Sequence, residues 1–134
     1  PTLLQKISFI KHSFSTCQTP ESRYQKIMEW GKELKDFDAK WKTPENLVSG
    51  CQSLMYLHAT GTEKSLIFKA SSDALISAGL AALLIYAYSG ESAEIILRVP
   101  PTFLEELGIP QTLTPSRANG LAALYQKMKQ LALQ

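Results

Sequence analysis

The chain has 134 residues, 14 Lys and Arg against 12 Asp and Glu, a net charge of +2 and 45% hydrophobic residues. That composition excludes a disordered chain and is long enough to bury a core, so a single domain over 1–134 is expected. No basic block is present and the longest apolar run, Ala78 to Tyr88, is about half of a membrane span, so neither nucleic acid nor membrane is an expected partner.

Leu3, Ile7, Ile10 and Phe14 share one helical face, which predicts a first helix over 3–15. Thr19, Pro20 and Glu21 form a helix start: a capping hydroxyl, proline at the first position and an acid in the first turn. That helix is expected to run to about Leu34, with Tyr24, Ile27, Met28, Gly31 and Leu34 inward. Residues 35–46 hold Pro44 and no periodicity, which predicts a loop. "SLMYLHAT" (53–60) and "SLIFKA" (65–70) flank Gly61-Thr62-Glu63 and read as an antiparallel hairpin whose first strand begins almost at Cys51.

Ser71-Ser72-Asp73 before an apolar run reads as a cap for a buried helix over 73–89, rich in small residues and ended by Gly90. "ESAEIILRV" (91–99) predicts a helical turn and then a short strand. "TFLEELGI" (102–109) predicts a short helix closed by Gly108. Thr114 and Pro115 start a last helix with Leu121, Leu124, Tyr125, Met128 and Leu131 on its stripe. Strands and helices are segregated, so the expected class is α+β, a small antiparallel sheet packed against several helices.

Cys51 is the residue whose setting asks for a reactive role. It stands at a turn between Gly50 and Gln52-Ser53. A glycine turn can aim backbone amides at sulfur and clears bulk beside it. An inert, half-buried thiol is the competing account, and residue types alone favour it. Cys17 is the other cysteine; two cysteines without a CxxC pair make no disulfide framework. No signal peptide is evident, so a reducing, cytoplasmic compartment is the expectation and a Cys17–Cys51 disulfide is not favoured.

Metal and hydrolase chemistry find weaker support. Cys51, His58, Cys17 and His12 do not have ligand-pair spacing, so no metal or other cofactor is expected. From Cys51 to His58 an extended strand covers roughly 20 Å or more, which also weakens a hydrolase built on Cys51, His58 and Asp73. Asp73 is most simply a helix-start acid. Arg117 falls in the first turn of a helix, where a cation is disfavoured, which points to a role elsewhere: pairing a carboxylate or lying near an anionic sulfur. Trp30 and Trp41 read as packing residues.

Three segments carry a family resemblance: "VSGCQSLMY" (48–56), "SSDALISAGLAALL" (71–84) and "LTPSRANGL" (113–121). In order and at this spacing they resemble the SufE family, with its V-x-G-C-Q-S-x-V-W motif, its S-D-A before an apolar helix and its L-[ST]-P-x-R-x-x-G-L segment. "SRYQKIMEWGKEL" (22–34) and Asn46 resemble the family's R-Y-x-x-[IL] helix and the asparagine before its cysteine loop. The likeness spans about 7–131. Met55 and Tyr56 stand where the family usually has Val and Trp, and Cys17 matches no family position.

The resemblance implies a SufE/IscU-like fold and a sulfur acceptor rather than an enzyme with its own small-molecule turnover. Cys51 would take sulfur as a persulfide from a partner cysteine desulfurase of the SufS type, stimulate that desulfurase, and pass the sulfur to an iron–sulfur scaffold complex. Gly50, Gln52 and Ser53 would shape the loop. Asp73 and Arg117 would belong to the docking surface or the thiolate neighbourhood. Val48, Leu54, Met55 and Tyr56 would shelter the thiol. A homodimer stays open, and so does an iron–sulfur or zinc-binding scaffold of the related fold.

Overall fold

The computed structural model describes residues 1–134. Seven helices surround one hairpin: α1 (Leu3–Ser13), α2 (Pro20–Gly31), β1 (Met55–Thr62), β2 (Ser65–Ser72), α3 (Leu75–Tyr88), α4 (Ala93–Arg98), α5 (Thr102–Glu106), α6 (Ile109–Thr112) and α7 (Pro115–Ala132). This is the expected α+β class with a two-stranded antiparallel sheet.

Local chemistry explains the helix starts. Thr2 and Thr19 each accept from the backbone N–H three residues on and complete capping boxes with Gln5 and Ser22. Thr114 accepts from the Arg117 N–H, with Pro115 at the first helical position. Such caps are worth about 1 kcal/mol each.

β1 pairs with β2 from Met55↔Ser72 to Thr62↔Ser65. The period of two puts Met55, Leu57, Leu66, Phe68 and Ala70 on the buried face. Tyr56 and His58 point the other way, where the segment 37–46 covers them: Phe37 stacks with Tyr56 and Trp41 with His58. The β2 margin is closed by the α3–α4 connection, since the Leu66 N–H donates to the Glu91 carbonyl and the Gly90 N–H to the Leu66 carbonyl.

α3 is the centre, buried along nearly its whole length and packed against α1, α2, α7 and β2. Gly79 lets α2 approach closely: a Cβ there would lie 1.9 Å from the Ile27 carbonyl oxygen. Lys6 ties α1 to the end of α3 through Glu91 at 2.7 Å and the Ser89 carbonyl at 3.1 Å. No helix is long and apolar enough to cross a membrane.

Several boundaries differ from the sequence expectation. α2 stops at Gly31, short of Leu34, and Tyr24 on its expected inner stripe is exposed. The 35–46 loop contains two 3-10 turns, Ala39–Trp41 and Pro44–Asn46. The hairpin turn is Glu63-Lys64, and β1 starts four residues after Cys51. α3 starts at Leu75 behind Ala74, which makes no side-chain cap, so Asp73 is not its capping acid. Residues 91–99 contain α4 and no strand, and α6 is an extra short helix.

Candidate functional site

The Cys51 loop, residues 49–54, leaves and returns at a pinned base. The Val48 N–H donates to the Met55 carbonyl at 2.9 Å. Asp73 clamps the return side with two bonds. Its Oδ1 accepts from the Leu54 N–H at 3.0 Å, and its own N–H donates to the Leu54 carbonyl at 3.2 Å. The carboxylate therefore serves the loop and caps no N–H of α3.

At the loop's apex Gly50 has φ +86°, a left-handed conformation that side chains disfavour. A Cβ there would lie 3.5 Å from the Ala123 Cβ, so the loop rests on α7. Cys51 is half-buried and leans on the same helix: a Cβ on Gly120 would lie 3.4 Å from its Sγ. Gln52 is exposed.

Ser53 and Arg117 meet. The Arg117 Nη1 donates to the Ser53 hydroxyl and, at 2.7 Å, to the hydroxyl of Ser77 on α3. Ser53 and Ser77 share a further hydrogen bond at 2.8 Å. The loop is thus tied to α3 and α7 through one guanidinium. Arg117 forms none of the ion pairs, so of its two expected roles the carboxylate pair is not the one observed.

Beneath the thiol lies a pocket of about 10 Å³, room for about one water-sized atom. Met55, Leu80 and Leu124 form its apolar wall; Gln52, Ser77, Ser116, Arg117 and Gly120 complete it with Cys51. Arg117 is its one charged side chain. The first turn of α7, the partially positive end of that helix, supplies Ser116 and Arg117.

The shelter differs from expectation in part. Val48 and Met55 are buried, but Leu54 is 53% exposed and Tyr56 faces the other side of the hairpin. Leu80 and Leu124 supply apolar wall instead.

The structure brings Cys51, Ser53 and Arg117 together and holds Asp73 at the loop base. It keeps His58 apart. The His58 Nδ1 accepts from the Asn46 Nδ2 at 3.0 Å, and its ring stacks on Trp41 at 4.3 Å. Burial, then Lys40, hold its pKa below the usual histidine value. His12 is exposed on α1, so neither histidine lines the Cys51 pocket and the hydrolase arrangement is not formed. Cys17 is free, with its thiol directed at the Ser22 carbonyl, and Cys51 is free as well. No group of three or more His, Cys, Asp or Glu side chains is assembled that would hold a metal ion.

A model of the SufE family, described as an Fe-S metabolism associated domain, matches residues 8–132. The chain belongs to the SufE family. It is 39% identical to the Arabidopsis thaliana SufE-like protein 1, chloroplastic/mitochondrial, over 96% of this chain but only 35% of that one. It thus spans about a third of that relative's length. An uncharacterised SufE-like protein of Synechocystis is 33% identical over 98% of this chain and 83% of its own length. The fold resembles the solution structure of a hypothetical protein from Thermus thermophilus, with TM-score 0.77, 24% identity and coverage of 96% of this chain and 93% of that one. As a SufE-family member the chain is associated with iron–sulfur metabolism.

Sequence reasoning missed Ser77 and the wall residues Leu80 and Leu124. Ser77 had one signal, a hydroxyl within an otherwise apolar buried run, but nothing local paired it with positions 53 and 117.

Proposed function

We propose that this SufE-family chain is a sulfur acceptor whose Cys51 carries sulfur as a persulfide between a cysteine desulfurase and a downstream iron–sulfur scaffold complex. One observation carries the reading: the thiol of a clamped loop lies over a pocket with an apolar wall and a single cation.

The chemistry is exchange at sulfur. The Cys51 thiolate attacks the outer sulfur of the partner's persulfide. The new S–S bond forms as the old one breaks, and the partner leaves as a thiolate that takes up a proton. No external oxidant is needed, because the sulfane sulfur moves at constant oxidation state. Delivery repeats the step with a scaffold thiolate as attacker. Rate depends on thiolate fraction, nucleophilicity and access. A half-buried thiol has to emerge to meet a partner's sulfur, so eversion of 49–54 on docking belongs to the reading, as does stimulation of the desulfurase by removal of its product sulfur. The scaffold reading lacks a set of three ligating side chains.

The test is intact mass spectrometry after incubation with a cysteine desulfurase and cysteine. Wild type and Cys17→Ser gain sulfur; Cys51→Ser does not. No gain in wild type, together with no stimulation of cysteine turnover, overturns the reading.

A further inference from the structure

Arg117 is a half-buried cation with hydroxyls for company and no carboxylate. Removing a charge from water without a counter-charge is costly, and a guanidinium in that state selects an anion. Its Nη1 is fully engaged by Ser53 and Ser77, while its Nε and Nη2 make no hydrogen bond within the chain. Ser77 is the second anomaly. It is 2% exposed on α3, a helix otherwise built of apolar and small residues with Tyr86 and Tyr88 near its end. A buried hydroxyl needs a partner, and Ser77 has two, both belonging to this cluster.

The pocket these residues line holds about one more atom beyond the Cys51 thiol. An outer sulfur bonded to Sγ extends about 2.05 Å from it, the reach of one atom. A persulfide is more acidic than its parent thiol, so that atom arrives with negative charge. Facing it from the loop, β1, α3 and α7, Arg117 is the only charged side chain lining the pocket.

We propose that Ser77 is a positioning residue that holds the uncompensated Arg117 guanidinium toward the outer sulfur of a Cys51 persulfide. Ser77 fixes the guanidinium from the central helix, and Ser53 does so from the Cys51 loop. The outer sulfur is then held as an anion while the loop is docked. The inference rests on Cys51 as the sulfur carrier, but its test needs no desulfurase.

In a Cys17→Ser background, Cys51 is loaded with inorganic polysulfide and the added sulfur is verified by intact mass. The rate of alkylation by iodoacetamide is then followed against pH. The plateau reports access; the midpoint reports ionisation of the outer sulfur. Arg117→Met raises the midpoint by about one pH unit or more, and Ser77→Ala raises it by part of that. Ser77→Thr, which keeps the hydroxyl, returns it to the background value. An unmoved midpoint in Ser77→Ala overturns the proposal, and so does a Ser77→Thr that behaves like Ser77→Ala, since packing alone would then be at work. Should Ser77→Ala fold poorly, Arg117→Met still decides: an unmoved midpoint there removes the anion contact. Any of these failures leaves acceptance of sulfur from a desulfurase to its own test.

Discussion

The Sγ of Cys51 packs against α7 at Gly120, 3.4 Å from the place a Cβ would take there. The docked loop therefore leaves room at position 120 for a methyl but not for a branched side chain. Gly120→Ala is expected to be tolerated, because the contact is at the edge of ordinary packing and alanine favours the helix. Gly120→Val adds methyls that meet the sulfur. Overpacking of about 1–3 kcal/mol, expressed as loop undocking, raises Cys51 reactivity about fivefold or more with the fold intact. The rate of thiol reaction with a chromogenic disulfide measures it; equal rates in wild type and Gly120→Val refute the docking contact.

Asp73 supplies the clamp at the loop base. Replacing it with Ala deletes the acceptor for the Leu54 N–H. A hydrogen bond of this kind is worth about 1 kcal/mol at an exposed position, so local opening rises about fivefold. Hydrogen exchange is expected to quicken across 50–54 while the melting temperature barely moves. Asp73→Asn keeps an acceptor oxygen and falls between. Uniform loss of protection across the chain would assign Asp73 a global role instead.

Much of the fold is legible locally, and the site is legible only in part. Thr19-Pro20 and Thr114-Pro115 mark helix starts because hydroxyl and proline act within one turn. Asp73 carries the same kind of signal and misleads, because its carboxylate is taken by Leu54, nineteen positions earlier in the chain. The strand expected near Val99 fails for a similar reason. The Tyr88 hydroxyl donates to the Val99 carbonyl and the Tyr125 hydroxyl to that of Ile96, tertiary contacts that a local pattern does not contain. At the site, Cys51 and Arg117 stand out by being at odds with their local setting. Ser77 is invisible until α3 is placed between the loop and α7. Its significance is a matter of three elements meeting.

Gly79 and Gly31 set the distance between α2 and α3. Beyond the Gly79 contact, a Cβ on Gly31 would lie 2.7 Å from the Leu75 carbonyl oxygen and 2.8 Å from the Gly79 nitrogen. These are backbone clashes that no rotamer relieves. Gly79→Ala is expected to cost about 3 kcal/mol, which outweighs the roughly 1 kcal/mol that alanine adds as a helix former. Urea unfolding measures the loss. The double variant with Gly31→Ala should cost less than the sum of the two, since one separation of the helices relieves both clashes. Full additivity would mean that the two glycines act on separate contacts.

His58 makes stability depend on pH. Burial first, and Lys40 second, hold its folded pKa below the unfolded value of 6.5. The unfolded chain therefore takes up the proton at a pH where the folded chain still refuses it. The contribution is fully present above about 6.5 and is lost as pH falls toward the lower, folded value. His58→Phe keeps a flat ring against Trp41 but removes the titration. It also leaves an Asn46 N–H without its acceptor, so its absolute stability falls; the informative quantity is the slope. Melting temperature followed downward from about 6.5 should drop more steeply for wild type than for His58→Phe. Parallel curves would show that the ring is as free to take its proton in the folded chain as in the unfolded one.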